Sequence, residues 1–335
     1  MKTAYVIGRF QPFHIGHQSL VNHAFSVADR VVICLGDTGG IRSFRDPWTP
    51  EERESMIRAC YPEVPEWKLQ FVTIYDYPYN DDEWAMYVRG AIRTFTKESD
   101  ENILVGMDKD HTSFYLHMFP EMKQELFESS IKLDATEIRR LIFSGNQKYR
   151  DFILPESYKR LRIAFKNRIF EEYEALVEDE KLWHSKGIDK YGPQPKTAVD
   201  ACIETRSRVL LVVRGGKVGY GGYALPGGYL DPSERLLDGA LRELAEETGI
   251  KIAKADVPRC HRQMFTFDHP QRSPLSRTIT HVLNIKLPEE FADANKPVPG
   301  DDAQNAFWFD KSQLTHSRDK FFSDHWHIAT TMSRR

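Results

Sequence analysis

The sequence predicts an α/β protein in two parts: an N-terminal Rossmann-like domain built on a parallel sheet, and a C-terminal α+β domain. Three observations carry that expectation. Short apolar runs alternate with helix-like segments between Thr3 and Gly106, and such alternation makes a parallel sheet covered on both faces by helices. The 335 residues exceed the ~250–300 that one core usually organises. Beyond Pro195 a second set of strand-like segments surrounds one strongly acidic helix.

The first strand is Thr3–Gly8, apolar and ending in glycine. Gly8-Arg9-Phe10-Gln11-Pro12-Phe13-His14-Ile15-Gly16-His17 follows, and then an amphipathic helix to about Ala28. Further buried strands are expected at Arg30–Gly36, Lys68–Ile74 and Asn102–Gly106, separated by helices near Pro50–Cys60 and Asp81–Phe95. Sheets of this kind bind ligands at the carboxyl ends of their strands, where His14 and His17 fall. Gly16 would let a polyphosphate approach the backbone, the helix N-terminus would offer N–H groups, and two imidazoles three residues apart could donate to phosphate oxygens. No Walker-type lysine is present, which excludes a P-loop ATPase.

Asp134 is expected to cap a helix, with Glu137 completing a capping box, and Gly145 to stop it. A helical pattern then runs from Leu154 toward Trp183, basic first (Lys159, Arg160, Arg162, Lys166, Arg168) and acidic last (Glu171 to Glu180). That order opposes the helix macrodipole. It suggests two helices, or charges answered by another domain or subunit, or simply a solvated face. Gly187–Pro195 reads as a linker, so the domains are placed at 1–186 and 197–335 with a linker at 187–196.

In the second part Thr197–Glu204 and Arg208–Val213 read as a hairpin leading to Leu225-Pro226-Gly227-Gly228. From Leu237 a helix is expected, with Leu237, Ala240, Leu241 and Leu244 on one side. Glu243, Glu246 and Glu247 share another face. Three carboxylates so close would raise one another's pKa unless a cation sat among them, and an oxygen-only set suits Mg²⁺, or Mn²⁺ in its place. The bland alternative is a solvated acidic face. Arg277–Ile285 and Ala306–Phe309 read as strands.

Net charge is −3 with no long basic run, which argues against nucleic acid as the main partner. No apolar stretch nears the ~20 residues that cross a bilayer, and no signal peptide is evident at the start, so no membrane partner and a cytoplasmic location are expected. Cys34, Cys60, Cys202 and Cys260 are scattered, implying neither a zinc site nor a disulfide framework. A homo-oligomer stays open.

Gly228, five residues, Glu234, seven residues, then Arg242-Glu243-Leu244-Ala245-Glu246-Glu247-Thr248-Gly249-Ile250 fills every fixed position of the signature that identifies the Nudix hydrolase family. The resemblance implies that Glu243, Glu246 and Glu247 are metal ligands, with Glu246 and Glu247 catalytic. Arg242 would steady the carboxylates, and Glu234 would support the metals or the loop.

The His-x-Gly-His segment resembles the nucleotidyltransferase superfamily, and its longer form resembles archaeal-type nicotinamide mononucleotide adenylyltransferases. Arg45-Asp46-Pro47-Trp48-Thr49-Pro50-Glu51-Glu52-Arg53, Asp76 with Asn80 to Trp84, and Asp134-Ala135-Thr136-Glu137-Ile138-Arg139 are similar to three further segments of that family. The last departs from the family where serine is usual. The resemblance implies that His14, His17 and Arg139 are catalytic. Arg9, Phe10, Gly16, Arg45, Gly106, Thr136 and Arg139 would bind ATP and its phosphates. Phe13, Asp76, Asn80 or Asp81, and Trp84 would bind the mononucleotide. Asp108 and Lys109 are further nucleotide candidates, while His23, His111 and His117 are assigned to structure.

The strand at Arg277–His281 and the Gly300-Asp301-Asp302-Ala303 segment look like those of fused adenylyltransferase–Nudix proteins. That likeness implies ADP-ribose binding by Gly227, Gly228, Arg272 and Arg277. It implies a bifunctional enzyme whose partners are ATP, nicotinamide mononucleotide, NAD and ADP-ribose. The alternatives are another His-x-Gly-His transferase, a Nudix domain acting on a different nucleoside diphosphate, and a Nudix module that senses nucleotides without cleaving them.

Overall fold

The apolar runs of the first half become strands β1 (Lys2–Gly8), β2 (Arg30–Asp37), β3 (Leu69–Tyr75) and β4 (Glu101–Gly106). A short, largely exposed strand that the apolar runs did not predict, β5 (Lys123–Leu126), joins them. They form one sheet in the order β3-β2-β1-β4-β5, and every neighbouring pair is parallel. The computed structural model describes residues 1–37, 39–96, 100–107, 111–128, 133–161, 169–185, 195–257, 261–273 and 276–334. The chain divides into Met1–Thr38 with Phe44–Phe170, and Gly39–Ser43 with Glu171–Arg335. The expected linker thus lies outside the described residues except at its end, and the residues after 170 group with the second unit rather than the first. Asp108 and Lys109 also lie outside the described residues.

The crossovers are α1 (Ile15–Val27), α2 (Pro50–Arg58) and α3 (Asp81–Ile92). Thr49 and Glu52 close a capping box on α2, with Pro50 in its first turn. Strand order reverses between β1 and β4, so the crevice beyond their carboxyl ends is where such a sheet takes a ligand. Gly8 and Gly106 end those two strands.

α4 (Ala135–Phe143) begins as expected at Asp134, but the cap differs. The Asp134 carboxylate accepts from Thr136 N–H at 2.8 Å, one residue before the capping-box position. Its end follows the expectation: Gly145 has φ +74, and its N–H and that of Asn146 reach Ile142 O at 3.1 Å and Leu141 O at 2.9 Å, a Schellman close. The long charged pattern appears as α5 (Pro155–Leu161) and α6 (Ile169–Ser185).

The second unit is a mixed sheet. β6 (Lys196–Glu204), β7 (Arg208–Arg214), β8 (Tyr223–Ala224), β9 (Gly227–Tyr229), β10 (His261–Phe267), β11 (Thr278–Lys286) and β12 (Ala303–Asp310) give the order β10-β11-β6-β7-β12, with β8 on β7 and β9 on β6. Only β11 and β6 run parallel. α7 (Leu236–Thr248) lays Ala240 and Leu244 on Val199, Ala201, Leu283 and Ile285. Leu244 is fully buried, and truncating such a side chain to alanine costs about 2–5 kcal/mol. α8 (Glu289–Ala294) and α9 (His325–Ser333) complete the unit. No helix among the described residues is long and apolar enough to cross a membrane.

Candidate active sites

At the end of β1 the chain turns through Phe10 at φ +53. A Cβ on Gly8 would lie 3.1 Å from the Phe10 ring, so glycine there lets the ring fold back over the strand. Phe10 and Phe13 are 2% and 0% exposed and pack against His17, with ring centroids 4.8 and 6.0 Å away. Both rings, expected to bind substrate, are used here to hold the histidine.

His14 is the N-cap of α1. Its Nδ1 accepts from the N–H groups of Gly16 at 3.1 Å and His17 at 3.4 Å. In the neutral ring this leaves the proton on Nε2. A Cβ on Gly16 would sit 3.1 Å from the imidazole. Gly16 therefore makes room for the imidazole cap, and the N–H groups expected to meet a phosphate are already engaged. The His14 and His17 rings stack with centroids 3.7 Å apart.

Around this turn sits a charge cluster. Asp46 is buried, with Arg9 4.0 Å and Arg45 3.9 Å away. Burial alone would raise its carboxyl, but Arg9, Arg45, Arg139 and Arg53 hold it below the ordinary carboxylate range. Burial, with repulsion from Arg9, lowers Arg45 to about 10, and burial lowers Arg139 to about 10 as well. A guanidinium stays charged, so the direction reflects the cost of burying these cations beside other arginines. Arg139 donates to Gln11 O at 2.6 Å and to Thr136 Oγ1 at 3.2 Å, which aims it at the turn.

Two residues that sequence reasoning gave no role hold this cluster. Arg53 is 0% exposed and donates to Arg9 O at 2.6 Å, Gly36 O at 2.7 Å and Thr49 O at 3.3 Å, pinning the ends of β1 and β2 together. Gln11 exchanges hydrogen bonds with the backbone of Trp48, at 2.8 and 3.2 Å. Both lie in quoted motif segments, but their roles needed the fold.

The expected mononucleotide residues divide. Asp76 pairs with Arg9 at 2.5 Å, joining two residues assigned to different substrates. Asn80 is the N-cap of α3, accepting from Glu83 N–H at 3.0 Å, so its carbonyl oxygen is engaged in the cap, while Asp81 is exposed. Trp84 packs edge-on against Tyr115 and Phe119 at 6.4 and 5.9 Å. At the end of β4, a Cβ on Gly106 would meet Leu116 at 2.5 Å, so this glycine serves close packing. His23 meets Glu125 at 3.3 Å.

In the second unit α7 carries the acidic face. Arg242 grips Glu234 with two donors, at 2.7 and 3.0 Å, and reaches Glu243 and Glu246 at 2.8 Å each. Hydrogen bonds to Glu234 first, then to Glu243 and Glu246, raise its pKa further. Glu247 turns the other way, accepting from Gly227 N–H at 3.0 Å. Burial, then the charges of Asp302 and Glu243, pushes Glu247 up to about 8. Burial also raises Glu243, with Glu246 and Asp301 adding to it.

Gly228 is fixed by space: a Cβ there would lie 2.5 Å from Glu243 Oε1. Gly300 likewise allows its loop to dock, since a Cβ would meet Glu246 O, and Gly300 N–H reaches Glu247 O at 3.3 Å. That docking brings Asp301, at φ +49, and Asp302 beside the helix. Sequence reading quoted this segment without giving either acid a role.

Among the described residues no three His, Cys, Asp or Glu side chains already converge to hold a metal ion, because Arg242 occupies the space between Glu243 and Glu246. The donor set nevertheless fits Mg²⁺ or Mn²⁺. It is all carboxylate, and two of its members are under-compensated buried acids that a cation would relieve. Arg277 donates to Asp268 O. Arg272 does not stand ready for a pyrophosphate: it is 8% exposed and bound to Asp324 through two nitrogens at 2.9 and 3.2 Å. His281 meets Thr266 across β10 and β11 at 3.0 Å.

Comparison with known proteins finds two families along the chain. The cytidylyltransferase-like family matches residues 5–140 and the NUDIX domain family residues 194–331. The nicotinamide/nicotinic acid mononucleotide adenylyltransferase of Acinetobacter baylyi is 34% identical over 140 residues, 42% of this chain and 74% of the relative. The nicotinamide-nucleotide adenylyltransferase of Thermococcus kodakarensis is 32% identical over 147 residues, 43% and 74%. A crystal structure of a bifunctional NMN adenylyltransferase/ADP ribose pyrophosphatase from Francisella tularensis superposes with TM-score 0.89 at 25% identity, covering 100% of this chain and 99% of that one. The Francisella protein was also solved with AMP and a manganese ion; that structure has TM-score 0.87 at 25% identity, covering 99% and 98%.

Proposed function

The chain belongs to the nicotinamide mononucleotide adenylyltransferase family and carries a NUDIX domain after it, and on that premise we propose a bifunctional enzyme of NAD metabolism. The first unit transfers AMP from ATP to nicotinamide mononucleotide. The second hydrolyses ADP-ribose to AMP and ribose 5-phosphate. The observation that carries this reading is the full-length likeness to a protein bearing both activities in its name, with both charge-bearing sites intact.

In the first reaction a phosphate oxygen of the mononucleotide attacks the α-phosphorus of ATP in line. One P–O bond forms, the α–β bridge breaks, and pyrophosphate leaves. Little covalent chemistry is asked of the protein, so positioning and charge neutralisation suffice. His14 donates from Nε2 because Nδ1 is held by the helix. His17 stacks on it, and Arg9, Arg45 and Arg139 supply planar donor forks for phosphate oxygens.

In the second unit Glu243, Glu246 and Glu247 would hold the divalent cation, magnesium or manganese, which supplies Lewis acidity toward the diphosphate and acidifies a water. Arg242 holds Glu243 and Glu246 in place. Glu247 is oriented by Gly227 N–H, and Gly228 leaves space beside Glu243.

A product assay with Mg²⁺ tests both halves, offering ATP with a panel of mononucleotides and then a panel of diphosphates. NAD from nicotinamide mononucleotide and AMP from ADP-ribose are expected. Reaction of another acceptor in place of nicotinamide mononucleotide would reject the first assignment, and an untouched ADP-ribose the second.

A further inference from the structure

Behind the start of β9 at Gly227 and Gly228 lies a buried polar cluster that the proposed hydrolysis does not use. Arg272, Asp324 and Asp200 are 8%, 4% and 5% exposed. Arg272 binds Asp324 through Nε and one terminal nitrogen, and that nitrogen lies 3.9 Å from Asp200. Ser323 Oγ donates to the Arg272 carbonyl. The start of α9 is therefore tied to Arg272 at consecutive residues. The next residue, His325, accepts from the buried N–H of Leu225 through Nδ1 at 3.1 Å. Two residues further on, Gly227 N–H orients Glu247. On the other side the Asp200 carboxylate accepts from Thr280 and packs so closely on Gly227 that no Cβ would fit.

We infer that Arg272 is a positioning residue for the second site. It acts through Asp324 and His325 on the Leu225–Gly227 turn, and so on Glu247, without touching substrate. Burying three charges is costly unless they are paired, and here the pairing is used to latch a helix onto the turn that aims a glutamate. The inference rests on the reading of this site as a diphosphate hydrolase.

The test compares Arg272→Gln, Asp324→Asn and the double variant, with NAD synthesis as a control for intact protein. A latch predicts that each single variant lowers kcat for ADP-ribose cleavage about 10- to 100-fold, as loss of supporting contacts around a metal site does. KM stays within about twofold, and the double variant, which neutralises both partners of the Arg272–Asp324 pair and leaves Asp200 hydrogen-bonded by Thr280, recovers most of the loss. A substrate contact predicts raised KM in Arg272→Gln, no recovery in the double variant and little effect of Asp324→Asn; that pattern overturns the inference. If the single variants do not fold, the double variant decides: cleavage at ordinary KM supports the latch, and raised KM rejects it. Amide hydrogen exchange gives a readout independent of turnover. Arg272→Gln should speed exchange at Leu225 and Gly227, and unchanged exchange at both sinks the latch. If the unaltered chain released no AMP from ADP-ribose, the proposed reaction would fail, and the exchange measurement would still decide the latch.

Discussion

The Nδ1 of His14 accepts the N–H of Gly16 at 3.1 Å, so an imidazole caps the helix that carries its own partner, His17. The contact fixes the ring's tautomer as well as its place, and it exists because residue 16 has no side chain.

Gly16→Ala should push the ring away by a few tenths of an ångström, since the new Cβ would start 3.1 Å from it. NAD formation is expected to fall about 10- to 100-fold, the scale set by small misplacements at a reacting centre, while ADP-ribose cleavage persists. His14→Asn keeps a good cap without the distal N–H. It should hold the thermal midpoint and lose the transferase rate. A transferase rate unchanged in both variants would remove His14 from the site.

Arg53→Met should destabilise the first unit. It leaves Arg9 O and Gly36 O, now bonded at 2.6 and 2.7 Å, without their buried donor. Hydrogen bonds to charged groups contribute about 1.5–3 kcal/mol each, so a loss of about 3 kcal/mol is expected in urea unfolding. A loss below 1 kcal/mol, roughly the size of an ordinary surface change, would mean that water takes the donor's place.

The two activities should separate. Glu246→Gln is expected to stop ADP-ribose cleavage with NAD synthesis intact, and His17→Ala to do the reverse. Gly228→Ala should resemble Glu246→Gln, because its Cβ would collide with the Glu243 carboxylate at 2.5 Å. If Glu246→Gln or His17→Ala abolished both reactions in folded protein, two independent sites would be the wrong description.

Acid should destabilise the second unit through α9. Burial, then Arg318, lowers His327 from 6.5 to about 3, and burial lowers His325 too. Unfolding lets these rings take up protons below about 6.5, whereas the folded unit refuses them. Their contribution is thus complete above pH 6.5 and is lost as pH falls toward 3. The slope is up to about 1.4 kcal/mol per pH unit for each group. His327→Gln should flatten the fall in stability between those limits, measured by denaturant unfolding, and an unchanged slope would assign acid lability to the carboxylates alone.

Four strands of the first sheet, the helix of the acidic box and both motif-bearing turns were legible in the sequence; β5, mostly polar and exposed, carries no apolar pattern to mark it. The periodicity of the legible elements, and the glycines Gly8 and Gly106 that end β1 and β4, are local properties that adjacent residues enforce. The pairings were not legible. Arg9 with Asp76, Arg272 with Asp324 and His325 with Leu225 join residues 52 to 100 positions apart, and nothing in one segment marks its partner in another. Phe10 and Phe13 show the same limit, since an aromatic beside a histidine serves equally to stack a base or to fill a core.

The sequence by itself determined which chemical groups this protein owns and on which kind of element each sits, because helix and strand periods and glycine turns depend on neighbours along the chain. Only the tertiary structure decided which charges are already neutralised. Packing brought Asp46 among arginines, placed Arg242 between two glutamates and buried Arg272 against Asp324, and the energy of a charge depends on what surrounds it in space.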